Sequence, residues 1–138
     1  MTTKIPRHVL SKSTFMRGCQ CVKALYLYKH HYQLRDQISE QQQAIFDRGT
    51  SVGELARQLF PGGIDAGPET PFQYQKSVAY TKQLIEEGQK IIYEAAFQFN
   101  GVLAAMDILV KEKGKWKAYE VKSSTKISET YLLDASLQ

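Results

Sequence analysis

The dipeptide Asn100-Gly101 constrains this chain more than any other feature. Both residues tolerate the positive φ that a type I′ turn requires, and apolar segments flank them, so the stretch from Ile91 to Lys122 reads as a β-meander. A two-residue loop pairs Phe99 with Val102, and counting outward sets Glu94 opposite Asp107. A second turn centres on Lys113-Gly114. A two-residue loop there, or a symmetric four-residue one, pairs Val110 with Lys117 and therefore Asp107 with Glu120. Three carboxylates are thus expected side by side across adjacent strands, on one face of the sheet.

Such a row needs a cause. Cross-strand neighbours have Cβ atoms ~5 Å apart, and like charges there are destabilising. Ile92, Ala96, Ala105 and Leu109 flank the acids, so the face is not an ordinary solvated one. Two cations suit it. Lys122 lies two residues beyond Glu120, a step of ~6.6 Å along a strand, and a hard divalent ion takes carboxylate oxygens. A structural salt-bridge row is the alternative. Asp107 is the residue hardest to explain without a cation, because the rest of Val102 to Val110 is apolar and an unpaired carboxylate there carries a large desolvation cost.

Glu94, then Asp107, then Glu120-Val121-Lys122, spread over β-hairpins and followed by a helix, resembles the PD-(D/E)XK nuclease superfamily, and within it the RecB-like and CRISPR-associated exonuclease branch. The resemblance implies an α/β (α+β) fold with a restriction-endonuclease-like core, a mixed β-sheet meander flanked by helices. It implies that Asp107 and Glu120 ligate Mg²⁺ or Mn²⁺ together with the backbone carbonyl of Val121, that Glu94 contributes an acidic position on the first strand, and that Lys122 is the catalytic lysine. In that pattern the segment from Gly49 to Gly53 matches a helix whose last position is usually a histidine ligand; here it is Gly53. Glu54 is adjacent but ~100° further round the helix, which favours an exposed helix acid over a ligand.

The chain has 138 residues, enough for a single domain with a core. A formal net charge of +4 suits a polyanionic partner without demanding one. Much of the surplus precedes Asp36, in Lys4, Arg7, Lys12, Arg17, Lys23, Lys29 and Arg35. No apolar run is long enough to span a bilayer and the start lacks a signal peptide's hydrophobic segment, so no membrane partner is expected. Cys19 and Cys21 stand one residue apart, a poor spacing for a mutual disulfide, which points to a reduced, cytoplasmic chain. The opening Leu10-Ser11-Lys12-Ser13 followed by Cys19 is similar to that of relatives whose cysteine joins an iron–sulfur cluster. Such clusters need four cysteines, and none follows Cys21, so no iron–sulfur cluster is expected and Cys19 reads as a buried small hydrophobe.

Residues 1–9 read as an irregular arm. Ser11 or Ser13 caps a first helix whose apolar positions are Phe15, Val22, Leu25 and Tyr26, the last expected in the core. His30 and His31 are neighbours that a helix points apart, which speaks against joint ligation. A second helix is expected over 40–60, with Phe46, Gly49, Val52, Gly53, Ala56, Leu59 and Phe60 as its buried stripe; the two glycines would let another backbone approach. Thr70-Pro71 reads as the start of a third helix that ends at Gly88, with Tyr74, Val78, Thr81, Leu84 and Ile85 buried. Ile91, Tyr93, Ala95, Phe97 and Phe99 are expected on one face of the following strand and Glu94 on the other. Ser128 caps a final helix with Glu129 in its first turn.

The function these residues imply is a metal-dependent nuclease, a DNA exonuclease more than an RNA enzyme, with nucleic acid as partner. Ser124, Tyr131, Gln138, Lys12 and Arg17 are its candidate nucleic-acid contacts; Tyr131 and Gln138 match a helix of the resembled family. That family continues past the point matching Gln138, so the chain is expected to be a C-terminally truncated domain, with a homodimer as one way to cover the open edge. The alternatives are a non-catalytic nucleic-acid-binding module on the same fold, and a structural ion site unrelated to nucleic acid.

Overall fold

The computed structural model describes residues 7–138. The chain is mixed α/β. In order it forms β1 (Leu10–Ser11), α1 (Lys12–Gln20), α2 (Val22–His30), a 3-10 turn at Tyr32–Leu34, α3 (Glu40–Gln58), β2 (Ile64–Asp65), α4 (Tyr74–Glu86), β3 (Ile91–Phe99), β4 (Val102–Glu112), β5 (Lys115–Tyr119) and α5 (Glu129–Ser136). Of the expected arm, residues 1–6 lie outside the described residues, and 7–9 carry no helix or strand.

The meander forms in the expected register. Asn100 and Gly101 take φ of 47° and 77°, Lys113 and Gly114 of 48° and 80°, as two-residue I′ turns require. Phe99 pairs with Val102, and Val110 with Lys117. Strand β4 is the centre of the sheet. One edge pairs antiparallel with β3, which carries β2 in parallel beyond it; the other is shared by β1, parallel at Val102, and β5, antiparallel from Ile108. Because β1 runs straight into α1, this parallel pairing brings the first turn of α1 to the sheet.

Two apolar clusters cover the sheet's faces. Ile92, Ala95 and Leu109 pack with Ala66 and with Leu84 of α4. Tyr93, Ile108 and Val110 pack with Ala56 and Phe60 at the end of α3, and with Tyr119 and Val121. The buried Thr81 hydroxyl accepts the Ala96 N–H at 3.0 Å and ties α4 to β3. Helix α1 starts on a capping box between Ser11 and Thr14, and Ser128 caps α5 through the Tyr131 N–H. Among the described residues no helix is long and apolar enough to cross a membrane.

Several expectations need correction. Strict alternation along β3 fails: Ile91 and Tyr93 pack on one cluster, Ala95 on the other with Ile92. The cause is Glu94, whose φ of 52° interrupts the pleat. The stripe on α3 is not buried along its length; Phe46 and Leu59 are exposed, and a Cβ added at Gly49 or Gly53 would meet nothing within 4 Å, so no backbone comes close there. Only the last turns of α3 reach the sheet. Helix α4 starts at Tyr74, after a turn closed by the Gln73 N–H on the Thr70 carbonyl, rather than at Pro71. The first helix is broken at Cys21, whose extended backbone turns α2 away from α1. With that break Cys19, Val22 and Tyr26 are exposed rather than core.

Candidate active site

Asp107 sits mid-strand in β4, and its Oδ2 accepts the Val121 N–H at 2.6 Å. Its other oxygen takes no hydrogen bond from any described residue. Glu94 faces it from β3, since the pairs on either side are Tyr93 with Ile108 and Ala95 with Met106. No ladder pair forms at Glu94 itself, consistent with its positive φ. That twist sends the carboxylate toward α3, where the Arg57 guanidinium is 3.2 Å from Glu94 and 2.7 Å from Asp65. The same guanidinium lies over the Tyr93 ring, 4.9 Å from its centroid. Glu94, Asp107, Arg57, Glu54, Gly53 and Val121 all line one cleft of about 480 Å³.

A second charged cluster begins where Val121 leaves the sheet. Lys122 Nζ is 2.6 Å from both Glu120 and Asp134 of α5. Lys12, the first residue of α1, approaches the same acids at 2.6 and 3.4 Å. The Gln138 amide donates to the free oxygen of Glu120 at 2.9 Å and to the Ala105 carbonyl at 3.3 Å. Two ammonium groups, two carboxylates and an amide close on one another.

The two clusters titrate in opposite directions. Burial raises the Glu94 carboxyl above its ordinary range and the Asp107 charge adds to the rise, with Arg57 opposing. Burial likewise raises Asp107; the Val121 N–H and the two lysines oppose it, and Glu120 reinforces it. Burial would raise Glu120 as well, but hydrogen bonds from Lys12, Lys122 and Gln138 override it and its pKa is lowered. Burial works against the Lys122 ammonium, yet hydrogen bonds to Asp134 and Glu120 hold it up at about 12.

The expected row of three acids is therefore corrected to a pair and a neighbour. Strand β5 ends at Tyr119, opposite Ile108, so Glu120 lies just past the ladder and turns toward the lysines. Among the described residues no three His, Cys, Asp or Glu side chains are gathered so as to hold a metal ion. Val121 meets Asp107 through its N–H. Of the candidate nucleic-acid contacts, Gln138 and Lys12 are committed to Glu120; Tyr131 has the Lys122 ammonium 5.7 Å from its ring centroid; Ser124 bonds within its own loop to Lys126; Arg17 stacks on Tyr28. His30 and His31 both lie beside the Tyr26 ring. Arg57, Asp65 and Asp134 escaped the sequence reading, because their partners are distant along the chain or sit on elements whose packing no local pattern reveals.

Glu94 and Asp107 suit a hard cation: burial raises both, Asp107 raises Glu94 further, and each keeps an oxygen without a hydrogen bond from the described residues. Glu120 suits it only once Lys12 lets go. No protein-family model, curated protein or solved structure matches this chain.

Proposed function

We propose that this chain is a metal-dependent nuclease, a DNA exonuclease on a restriction-endonuclease-like core of the RecB-like kind. One observation carries the reading: two half-buried carboxylates on neighbouring strands, both raised by burial, line an open cleft beside a charged lysine. Asp107 and Glu94 would hold Mg²⁺ or Mn²⁺, with Glu120 joining on release of Lys12. A bound ion supplies Lewis-acid polarisation of a phosphoryl oxygen and a more acidic water.

The chain's own groups do the rest. Lys122, held up at about 12, carries its proton at neutral pH and so acts on developing negative charge and on the orientation of water, not as a general base. Asp134 and Glu120 fix its ammonium from two sides. Val121, hydrogen-bonded to Asp107, couples the lysine's position to the carboxylate it serves. Contacts of this type reach phosphate and carry no sequence information.

A non-catalytic nucleic-acid-binding module is the second reading, favoured by Gly53 where the resembled family has a ligand and by Lys12 on Glu120. Labelled single- and double-stranded DNA incubated with Mg²⁺ or Mn²⁺, beside a Lys122→Ala control, separates the two. Cleavage that the variant loses supports the nuclease. Binding without cleavage in both proteins replaces it with the module.

A further inference from the structure

We propose that the groove beside the α1–α2 pair is a binding site for an unpaired nucleic-acid strand, with phosphates on Arg35 within it and on Arg17 at its margin, where these stack on Tyr28 and Tyr32, and a base on Phe72. The groove encloses about 660 Å³, and its walls include Arg35, Tyr32 and Phe72 as well as Glu94 and Asp107. A strand lying in it therefore reaches the acid pair.

Four side chains build an alternating stack. The Arg35 guanidinium carbon is 3.8 Å from the ring centroids of both Tyr28 and Tyr32, and that of Arg17 is 4.3 Å from Tyr28. A guanidinium whose face is held on a ring keeps its N–H edge for an oxyanion, and two oxygens of a phosphate fit that fork. Among the described residues no carboxylate pairs with Arg7, Arg17, Lys29 or Arg35. Arg7, Lys29 and Arg35 on the groove's walls have no carboxylate partner and outnumber its two acids, Glu94 and Asp107, which suits a polyanion. A further wall residue, His8, has its Nδ1 buried without a partner.

Phe72 makes the site more than a charged surface. It is 83% exposed, although it is a large apolar ring in the turn before α4. Stacking with an unpaired base uses such a ring in a sequence-tolerant way. The charged ladder grips backbone; the ring demands a nucleobase.

This site deepens the nuclease reading through the position of Asp107, but it binds without metal, so the two can fail separately. The test is fluorescence anisotropy with a short labelled single-stranded oligonucleotide in EDTA, over a range of salt. Arg35→Ala and Arg17→Ala should each weaken binding uniformly across sequences and lower the salt slope by about 1. Phe72→Ala should weaken it on the order of tenfold with the slope unchanged. Lys113→Ala, at the β4–β5 turn, should bind as the parent does. Arg35→Lys, with circular dichroism alongside, guards against misfolding: it should keep the slope while losing part of the affinity. Groove variants that bind as the parent, or a Lys113→Ala loss as large as theirs, overturn the site. A Phe72→Ala protein with full affinity, displaced equally well by anionic vesicles, overturns it in favour of a general anionic surface. Binding as described with no cleavage in Mg²⁺ or Mn²⁺ removes the nuclease and keeps the site; cleavage with unaffected groove variants does the reverse.

Discussion

Asp107 and Glu120 lie close together at the β4–β5 edge, both half-buried, and their carboxyls move in opposite directions. Glu120 accepts from two ammonium groups and an amide. Asp107 accepts one backbone N–H and looks across at another acid. Burial pushes both carboxyls upward, so the opposite outcome lies in what neutralises the charge. A satisfied carboxylate is a structural strut. An unsatisfied one is held in place by the fold around it and is open to an incoming cation.

If that contrast is right, the largest effect belongs to Asp107→Asn. Cleavage should fall on the order of 10²–10³-fold, measured on labelled DNA, while unfolding in urea shows no loss of stability, because Asn can still accept the Val121 N–H. Glu120→Ala should do the converse to the fold. It leaves Lys12 and Lys122 facing each other over Asp134 alone, at a cost of about 2–3 kcal/mol after allowing for partial exposure, read from denaturant midpoints. If both variants lose stability alike, the contrast disappears.

The pH dependence sharpens it. Glu94 and Asp107 have raised folded-state pKa values, so their contribution to stability is complete below their ordinary values of 4.5 and 3.8 and is lost as pH rises through the raised ones. Glu120 has a lowered one; its contribution is present above 4.5 and is lost as pH falls through the lowered value. Relative to the parent protein, Glu94→Gln should thus gain in melting temperature on going from acid to neutral pH. Glu120→Gln should be the more damaging the higher the pH over the same span.

Lys12→Met is the mildest change. It keeps the apolar stem and removes one ammonium from Glu120, for a loss of about 1 kcal/mol or less given that the side chain is 22% exposed. Glu120 then keeps Lys122 and Gln138 but loses one competing cation, and divalent-ion affinity should rise, by up to about tenfold if one added carboxylate contributes about 1.4 kcal/mol. An unchanged affinity in calorimetry means that Glu120 takes no part in holding the ion.

What was legible in the chain follows the range of the interactions. Asn100-Gly101, Lys113-Gly114, Ser11 and Ser128 act on their immediate neighbours, so turns, register and caps could be read directly. Asp107 could be singled out because it interrupts an apolar strand. Glu94's positive φ could not, since a glutamate carries no preference for it and only its surroundings, with Arg57 and Asp65, hold it there. The same holds for Lys12, whose carboxylate partner is 108 residues away. Helical spacing around Phe15 to Tyr26 named an apolar stripe but not the break at Cys21 that exposes much of it.

The central claim is that the acid pair, not the lysine-bound Glu120, is where a divalent ion is held. Calorimetric titration of Mn²⁺ into the parent protein, Asp107→Asn and Glu120→Gln measures this directly. A site present in the parent and in Glu120→Gln but absent from Asp107→Asn is the predicted result. A site that survives Asp107→Asn, or no binding to the parent at all, contradicts it.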